Sequence, residues 1–435
     1  MVKAFINATV YDFVTFRKNA YVLFDKQIFE VGSMKDFINH DYELIDCENH
    51  LVLPGFVLAH THIYSVFARG LSMPFHPTNF QEILDQLWWK LDQQIDNDIT
   101  FCSGIVYGID CVKNGITTLF DHHASGLDIY GSLQALKRSV VDTIGLRGVF
   151  CFETSDRYDT KMCIRENVEF GANNQSSHVK GLFGLHASMS LSEATLEAVK
   201  KQKGSMSVHT HVAESKMDET DALEKYHESV IQRLKRHDLL DDSSLLVHGV
   251  HISEEDMDII AENKSKVVVN VTSNLNNAVG LPDIPKMMDK GIDVLIGNDG
   301  LGTSITNEFQ AVYYLMHHYM NSPTGFTLSQ VKQMIINNYQ YASKTFNVQL
   351  GRIEAKYEAD LQIIPYIPPT PLDENNIFGH LFFGLFSSFK PKNVYCSGQA
   401  IVKNYTVDEK LTNLYASCEN QAEILWNRLK KGELS

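Results

Sequence analysis

The sequence predicts an α/β protein in which a TIM-type (βα)8 barrel carries a small β-sandwich module formed by both termini. Eight short apolar runs each lead into polar or ionisable residues, and helical patterns separate most of them, as is typical of such a barrel. One helical pattern, DALEKYHESVIQRLKRHDLL, has an apolar face made of Leu223, Tyr226, Ile231, Leu234 and Leu239. The eight runs are FVLAH, ITTLF, LRGVFCF, GLFGL, MSV, SLLV, KVVVNV and DVLI.

The two ends of the chain differ from its middle. FINATVYDF, YVLFDKQIFEVG and YELIDCENHLVLPG are β-like runs separated by turns, and the same character returns in GRIEAKYEADLQIIPYI and KPKNVYCSGQAIVKNYTV. We therefore place the barrel at residues 56–354 and a composite β module at residues 1–55 and 355–435. The module ends in one terminal helix, whose docking residues are Leu414, Ile424, Leu425 and Leu429.

A long insertion follows the first barrel strand. Its segment NFQEILDQLWWKLDQQID predicts a helix that carries Trp88 and Trp89. Two interpretations stay open: a helix packed by its aromatic face, or a lid or subunit contact over the barrel mouth.

Composition limits the cellular context and the partners. A formal net charge of -15 argues against nucleic acid or an anionic membrane surface as a partner. The sequence has no apolar run long enough to cross a membrane, and its N-terminus lacks the apolar core of a signal peptide. The 7 cysteines are scattered without a disulfide pattern. We expect a cytoplasmic protein.

Histidines and an aspartate at the ends of the apolar runs predict a metal site. His60 and His62 are two residues apart on a strand, so both side chains point the same way. SMSVHTHVAES contributes His211 and GIDVLIGNDG contributes Asp299, and the carboxyl ends of barrel strands meet at one face. Three nitrogens and one oxygen suit one divalent transition metal per chain, zinc in the first place or iron, with a position left for water. His209 is then a residue deeper in the barrel.

The same strand ends provide acid–base groups. A bound metal lowers the pKa of water towards about 7. Asp299 is placed to take the water proton, Glu214 to carry a proton to the substrate, and His248 to orient the water or polarise the substrate. His251 is interpreted as a loop histidine. Lys180 precedes the fourth strand, so no lysine is placed to bridge two metals, which favours a single metal.

Five of these motifs, PGFVLAHTH, HTHVAES, HGVH, TSNLNNAVG and GNDGLGTS, occur in an order that resembles the amidohydrolase superfamily, in its aminohydrolase and chlorohydrolase branch. LWWKLD, FDHHASG and CFETSDR resemble, more narrowly, the SsnA group of aminohydrolases. The resemblance implies a catalytic barrel with a substrate-side histidine at His186. It also implies the metal ligands His60, His62, His211 and Asp299, with Glu214 and His248 in proton transfer and water orientation.

Residues on loops after several strands are candidates for substrate binding. They are His122, His123, Arg157, His186 and Asn274, with Asn276 or Asn277 beside the last. Amide side chains both donate and accept hydrogen bonds, which suits a planar polar heterocycle. Arg157 would bind an anionic or carbonyl-rich group, or it is a surface arginine. We predict that one of the pair His122 and His123 contacts substrate and that both are exposed.

The residues favour a metal-dependent hydrolase acting on C–N bonds other than peptide bonds. The leading hypothesis is deamination of a purine- or pyrimidine-like small-molecule heterocycle with release of ammonia. Hydrolysis of another ring substituent, as in chlorohydrolases, or of a cyclic amide uses the same groups. A non-catalytic metal-binding protein is a third hypothesis, but it predicts a missing acid–base residue, and Glu214, His248 and Asp299 are all present. A homo-oligomer is the expected assembly.

Overall fold

The computed structural model describes residues 1–432, and its strands form a sheet from the chain ends and a barrel from the middle. Along the chain the strands are β1 (Lys3–Tyr11), β2 (Phe16–Phe24), β3 (Ile28–Ser33), β4 (Glu43–Asp46), β5 (Leu51–Pro54), β6 (Phe56–Thr61), β7 (Ile116–His123), β8 (Arg147–Phe152), β9 (Val179–Gly181), β10 (Phe183–Leu185), β11 (Val208–Val212), β12 (Leu245–His248), β13 (Lys266–Val269), β14 (Val294–Ile296), β15 (Leu361–Ile364), β16 (Asn393–Cys396) and β17 (Gln399–Val402).

The terminal strands form one sheet in the order β17-β16-β15-β5-β1-β2-β3, with β4 paired to β1. Strands from the two ends meet where β15 pairs antiparallel with β5, in the register Leu361↔Pro54. One face of this sheet packs a separate apolar cluster that includes Phe5, Phe24 and Tyr395. The β module built from both termini is thus confirmed, while its boundaries at 55 and 355 stay predictions.

The middle of the chain forms the expected barrel. Parallel strands follow the order β6-β7-β8-β9 and then β10-β11-β12-β13-β14, and the fourth predicted strand is divided into β9 and β10. Parallel bridges Thr154↔Leu185 and Thr61↔Asp299 join these two sheets into a ring. The carboxyl ends of all eight predicted strands therefore face one mouth.

Helices surround the barrel and extend from its mouth. None within residues 1–432 is both long and apolar enough to cross a membrane. In chain order they are α1 (Phe80–Ile83), α2 (Trp89–Asp92), α3 (Asn97–Lys113), α4 (Ser132–Leu136), α5 (Thr160–Asn173), α6 (Glu193–Gln202), α7 (Lys216–Tyr226), α8 (Val230–Arg236), α9 (Glu254–Asn263), α10 (Val271–Asn276), α11 (Ile284–Asp289), α12 (Ile305–Tyr319), α13 (Leu328–Phe346), α14 (Ile377–Gly384), α15 (Glu409–Ser417) and α16 (Glu419–Gly432).

Two helices predicted as continuous are broken. The pattern at 221–240 divides into α7 and α8, because His227 adopts a left-handed conformation at φ 60 that ends α7. Leu223 is consequently 49% exposed instead of packed. The terminal helix divides into α15 and α16 at Cys418, where Leu425 and Leu429 are buried but Ile424 is 40% exposed.

A buried arginine joins the β module to the closed end of the barrel. Arg147, at the start of β8, is fully buried and pairs with Glu358 at 2.5 Å and with Asp360 at 3.2 Å. The same guanidinium donates to Ser397 Oγ at 2.5 Å. Removing one partner of such a buried network leaves an uncompensated charge, so the network fixes how the module meets the barrel.

The terminal helix α16 supports the insertion above the mouth. Trp426 Nε1 donates to the carbonyl of Phe67 at 2.7 Å. Arg428 donates to the carbonyl of Gln94 at 2.8 Å and to the carboxylate of Asp96 at 2.6 Å. These bonds anchor both ends of the segment that contains α1 and α2. A π-helical turn, Leu84–Trp88, joins these two helices.

Candidate active site

Four side chains converge at the barrel mouth with their ligand atoms within 4.8 Å of one another: His60, His62, His211 and Asp299. Asp299 Oδ1 lies 3.3 Å from His60 Nε2 and 3.0 Å from His62 Nε2. The Nε2 atoms of His62 and His211 are 3.2 Å apart. Three imidazole nitrogens and one carboxylate oxygen around one point form a donor set that suits a divalent transition metal.

The other ring nitrogens are held by hydrogen bonds that fix the tautomers of two of these histidines. His62 Nδ1–H donates to the carbonyl of His122 at 2.7 Å, and His211 Nδ1–H donates to the carbonyl of His186 at 3.1 Å. A carbonyl can only accept, so the Nε2 atom of each ring keeps its lone pair for a metal. The residues therefore fit the metal that the donor set implies.

His60 is oriented by a chain of side chains that runs into the barrel. Its Nδ1 lies 2.8 Å from His209 Nε2, and His209 Nδ1 lies 3.5 Å from Cys151 Sγ. The Cys151 thiol donates to the carbonyl of Asp121 at 3.5 Å. With the thiol proton committed there, His209 Nδ1–H donates to sulfur and His209 Nε2 accepts from His60. His209 thus lies behind a candidate ligand and is not part of the cluster.

Asp299 is held in an ionised state and a constrained backbone. Burial opposes its charge, but the neighbouring imidazoles of His60 and His62 outweigh burial and lower its pKa well below the usual range. Its second oxygen accepts from Ser273 Oγ at 2.5 Å. The backbone of Asp299 has φ 55, and that of His248 has φ 74. Such left-handed conformations turn the chain sharply at the strand ends.

Glu214 and His248 form a second pair beside the cluster. His248 Nδ1–H donates to Asn274 Oδ1 at 2.7 Å, so its Nε2 carries a lone pair and faces Glu214 Oε2 at 3.5 Å. Glu214 also accepts from Asn277 Nδ2 at 3.3 Å. Burial raises the pKa of Glu214 to about 7. A carboxyl with this pKa can release or bind a proton near neutral pH.

A cavity of about 70 Å³ opens directly above these groups. Trp88 and Trp89, from the insertion, belong to its wall, together with His186 and Arg157 from the barrel loops. A wider recess of about 510 Å³ adjoins this cavity, and both are lined by Trp88, Ser65, Asn277 and Gly300. The insertion therefore contributes part of the cavity wall, and its role as a lid stays a prediction.

Three of the proposed substrate-binding residues do not line this cavity. His122 and His123, predicted to be exposed, are fully buried, because their strand β7 continues through both of them. The Nε2 of His122 donates to the carbonyl of Leu185 at 3.0 Å, and the Nε2 of His123 lies 3.5 Å from Thr100 Oγ1. Asn274 is fully buried under His248 and orients it.

The surface interpretation of Arg157 is wrong, and two acidic residues were missed. The Arg157 side chain is 15% exposed and lies 2.9 Å from Asp92 Oδ2 and 2.7 Å from Glu153 Oε1. Burial raises the pKa of Asp92 to about 7 although Arg157 opposes this shift. Glu153 directly follows β8, at a strand end that the sequence marks, but the sequence predicted no role for it. Asp92 lies on α2, where nothing in the sequence signals its burial.

Solved structures share this fold over the whole chain. A zinc-bound adenosine deaminase from Xanthomonas campestris superposes with a TM-score of 0.83 at 18% identity, covering 98% of each chain. A zinc-bound atrazine chlorohydrolase from Arthrobacter aurescens superposes with a TM-score of 0.81 at 18% identity, covering 96% of this chain and 99% of the other. At such low identity, the likeness establishes the architecture alone.

Sequence relatives cover the chain almost as completely. A 5′-deoxyadenosine deaminase from Methanocaldococcus jannaschii is 26% identical over 430 residues, 95% of this chain and 98% of the relative. A 5-methylthioadenosine/S-adenosylhomocysteine deaminase from Thermococcus sibiricus is 24% identical over 393 residues, 84% of this chain and 89% of the relative. Neither tests the narrower resemblance to the SsnA group, which stays a prediction. Residues 51–401 match the model of the amidohydrolase family. The chain therefore belongs to the amidohydrolase family and is a metal-dependent aminohydrolase.

Proposed function

We propose that this enzyme hydrolytically deaminates an amino-substituted purine or a closely related N-heterocycle. Its cofactor is one divalent ion, zinc in the first place, held by His60, His62, His211 and Asp299. The observation that carries the proposal is the convergence of these four ligand atoms within 4.8 Å at the floor of a cavity. The relatives support the substrate class, since both are named deaminases of adenine nucleosides.

The residues around the cluster prepare it for a single ion. The carbonyls that accept from His62 and His211 hold both rings with Nε2 facing Asp299. His209 does the same for His60. When bound, a divalent metal of this type lowers the pKa of water towards about 7 and so supplies the nucleophile.

Deamination adds the oxygen of water to the ring carbon and breaks the bond from that carbon to the amino nitrogen. One proton must pass from water to nitrogen before ammonia leaves. Glu214 is suited to carry it, because its pKa of about 7 makes both protonation states accessible near neutral pH. Asp299, with its lowered pKa, stays anionic and accepts the first hydrogen bond from water. His248 Nε2 faces the same space and can accept a hydrogen bond from the attacking water.

The test combines metal analysis with ammonia release across aminopurines, aminopyrimidines and chlorinated triazines. We expect about one zinc or iron per chain and ammonia from at least one aminoheterocycle. His211→Asn should lose the metal and the turnover together. His251→Asn is the matched control, because His251 also follows a strand but donates to the carbonyl of Val279 at 2.8 Å. Faster dechlorination than deamination, or two metals per chain, would overturn the proposal.

Two further parts of the proposal concern cellular context and assembly. A cytoplasmic location is supported by the 7 cysteines, all of which are free thiols in the structure. A homo-oligomer is the proposed assembly. Light scattering coupled to size exclusion measures its mass, and a monomeric mass would refute this part.

A further inference from the structure

The arginine in the cavity wall is already neutralised by its neighbours. Arg157 Nη2 lies 2.9 Å from Asp92 Oδ2 and 2.7 Å from Glu153 Oε1, and Nη1 lies 3.4 Å from Asp92 Oδ1. Its guanidinium also stacks 4.7 Å from the ring of Trp89 and 4.8 Å from that of Tyr158. One cation thus meets two carboxylates. Arg157 is not free to bind an anionic or carbonyl-rich substrate group.

His186 presents a hydrogen-bond acceptor to the cavity. Its Nδ1 lies 2.7 Å from Ser190 Oγ, and the Ser190 hydroxyl donates to the carbonyl of Ala187 at 3.0 Å. A serine hydroxyl has one proton, so its oxygen accepts from His186 Nδ1–H. The neutral ring then carries its lone pair on Nε2, 4.0 Å from Glu153 Oε1. This distance leaves Nε2 without a hydrogen bond to Glu153.

Glu153 adds an unused carboxylate oxygen to the same wall. The residue is 3% exposed and lines the cavity, and its Oε1 accepts from Arg157. Its Oε2 lies 3.8 Å from His122 Nδ1, beyond hydrogen-bond distance. Among residues 1–432, no donor lies within hydrogen-bond distance of Oε2, so this oxygen is free to accept from an N–H group of a ligand.

We propose that Glu153 and His186 form an acceptor wall that selects substrates carrying N–H donors on an edge remote from the reacting amino group. This inference rests on the proposed function and narrows it. The preferred substrate is then an uncharged heterocycle with a ring N–H or a second amino group. An oxo group at that edge would face two acceptors, and a phosphate would face an excess of carboxylates.

The experiment compares substrates that differ in N–H groups at one ring position. The pairs are 2,6-diaminopurine against 2-methyladenine, and adenine against 9-methyladenine, with adenosine against adenosine monophosphate as a charge test. We expect kcat/KM to favour the N–H member of at least one pair by about 10- to 100-fold, as for a hydrogen bond to a charged group. Dissociation constants from quenching of Trp88 and Trp89 fluorescence should show the same preference without turnover.

Glu153→Gln tests the assignment, because the amide oxygen can still accept from Arg157 while the amide nitrogen presents a donor. The N–H preference should disappear or reverse in both kcat/KM and dissociation constants. Glu166→Gln is the matched control: Glu166 is a buried glutamate on α5 that accepts from the amides of Gly131 and Leu133, both at 2.9 Å. It should leave the preference unchanged.

Two results would overturn the acceptor wall. One is equal use and equal binding of both members of every pair by the wild-type enzyme. The other is a preference that survives in a folded Glu153→Gln variant. If no aminoheterocycle yields ammonia, the proposed function fails, while the binding measurements still decide on the wall. The wild-type comparison does not depend on whether the variant folds.

Discussion

Replacing Glu214 with glutamine should separate proton transfer from metal binding. The side chain lies outside the four-ligand cluster, and glutamine keeps an oxygen that can accept from Asn277 Nδ2, which is 3.3 Å from Glu214 Oε1. The substitution therefore preserves size and one hydrogen bond. What it removes is a group that can bind and release a proton.

The expected loss follows from the state of the carboxyl. Burial raises the pKa of Glu214 from 4.5 to about 7, so the group is poised for proton transfer near neutral pH. A positioned acid–base group contributes about 10²- to 10⁴-fold to rate, or about 3–5 kcal/mol of transition-state stabilisation. We expect kcat of Glu214→Gln to fall by this factor while the metal content stays at the wild-type value.

The pH profile supplies a second signature. Glu214 accepts a proton only when it is ionised. Because its pKa is raised to about 7, wild-type kcat/KM should decline as the pH falls through this value. The residual activity of Glu214→Gln should not show this decline at low pH. Glu219→Gln is the control, since burial raises the pKa of Glu219 to about 7 as well, but its Oε2 accepts from Val230 N on α8, outside the cavity. Ammonia release and elemental analysis measure the two effects. Loss of metal, or retention of more than a tenth of the activity, would refute the reasoning.

Three other substitutions test separate parts of the structure. His209→Phe removes the acceptor that lies 2.8 Å from His60 Nδ1 and should weaken metal affinity by about 10- to 100-fold in a competitive chelator titration. Unchanged metal affinity would show that His209 does not orient His60. Trp88→Ala removes a side chain that lines both the cavity of about 70 Å³ and the recess of about 510 Å³, and it should raise KM for a small aminopurine more than for one with a bulky N9 substituent. Equal effects on both substrates would show that Trp88 does not separate the two spaces. Burial raises the pKa of Glu308 from 4.5 to about 7, so the folded state holds the extra proton and the free energy of unfolding should fall as pH rises through that window. In Glu308→Gln, the free energy of unfolding measured by urea titration should fall less between pH 4.5 and about 7 than in the wild type. The same fall in both proteins would contradict this prediction.

The strand ends were predictable because two regular patterns coincide there. Side chains alternate along a strand, so His60 and His62 had to share a face, and parallel strands end at one mouth. The sequence therefore predicted that His211 and Asp299 lie beside His60 and His62, although the four residues are far apart in the chain. The placement of these residues in the structure agrees with that pattern.

The environment of each side chain was harder to predict, because it depends on contacts between distant segments. His122 and His123 end β7, but both rings are buried against other parts of the barrel, so neither lines the cavity. Asn274 was assigned to substrate because an amide can bind a heterocycle, yet its oxygen is used by His248 Nδ1. Residue type gave the capacity for a hydrogen bond in each case, and packing determined its partner.

Arg157 shows how such contacts reverse a functional interpretation. By residue type it suggests an anionic or carbonyl-rich ligand, but Asp92, 65 positions earlier in the chain, and Glu153 both pair with it. Asp92 comes from the insertion, whereas the four-ligand cluster comes from the barrel strands. Asp92 therefore changes the charge that a substrate meets, and it is not one of the four candidate metal ligands. Substrate preference can then vary with residues 63–99 while the chemistry at the strand ends is retained, as expected of variable loops on a rigid barrel.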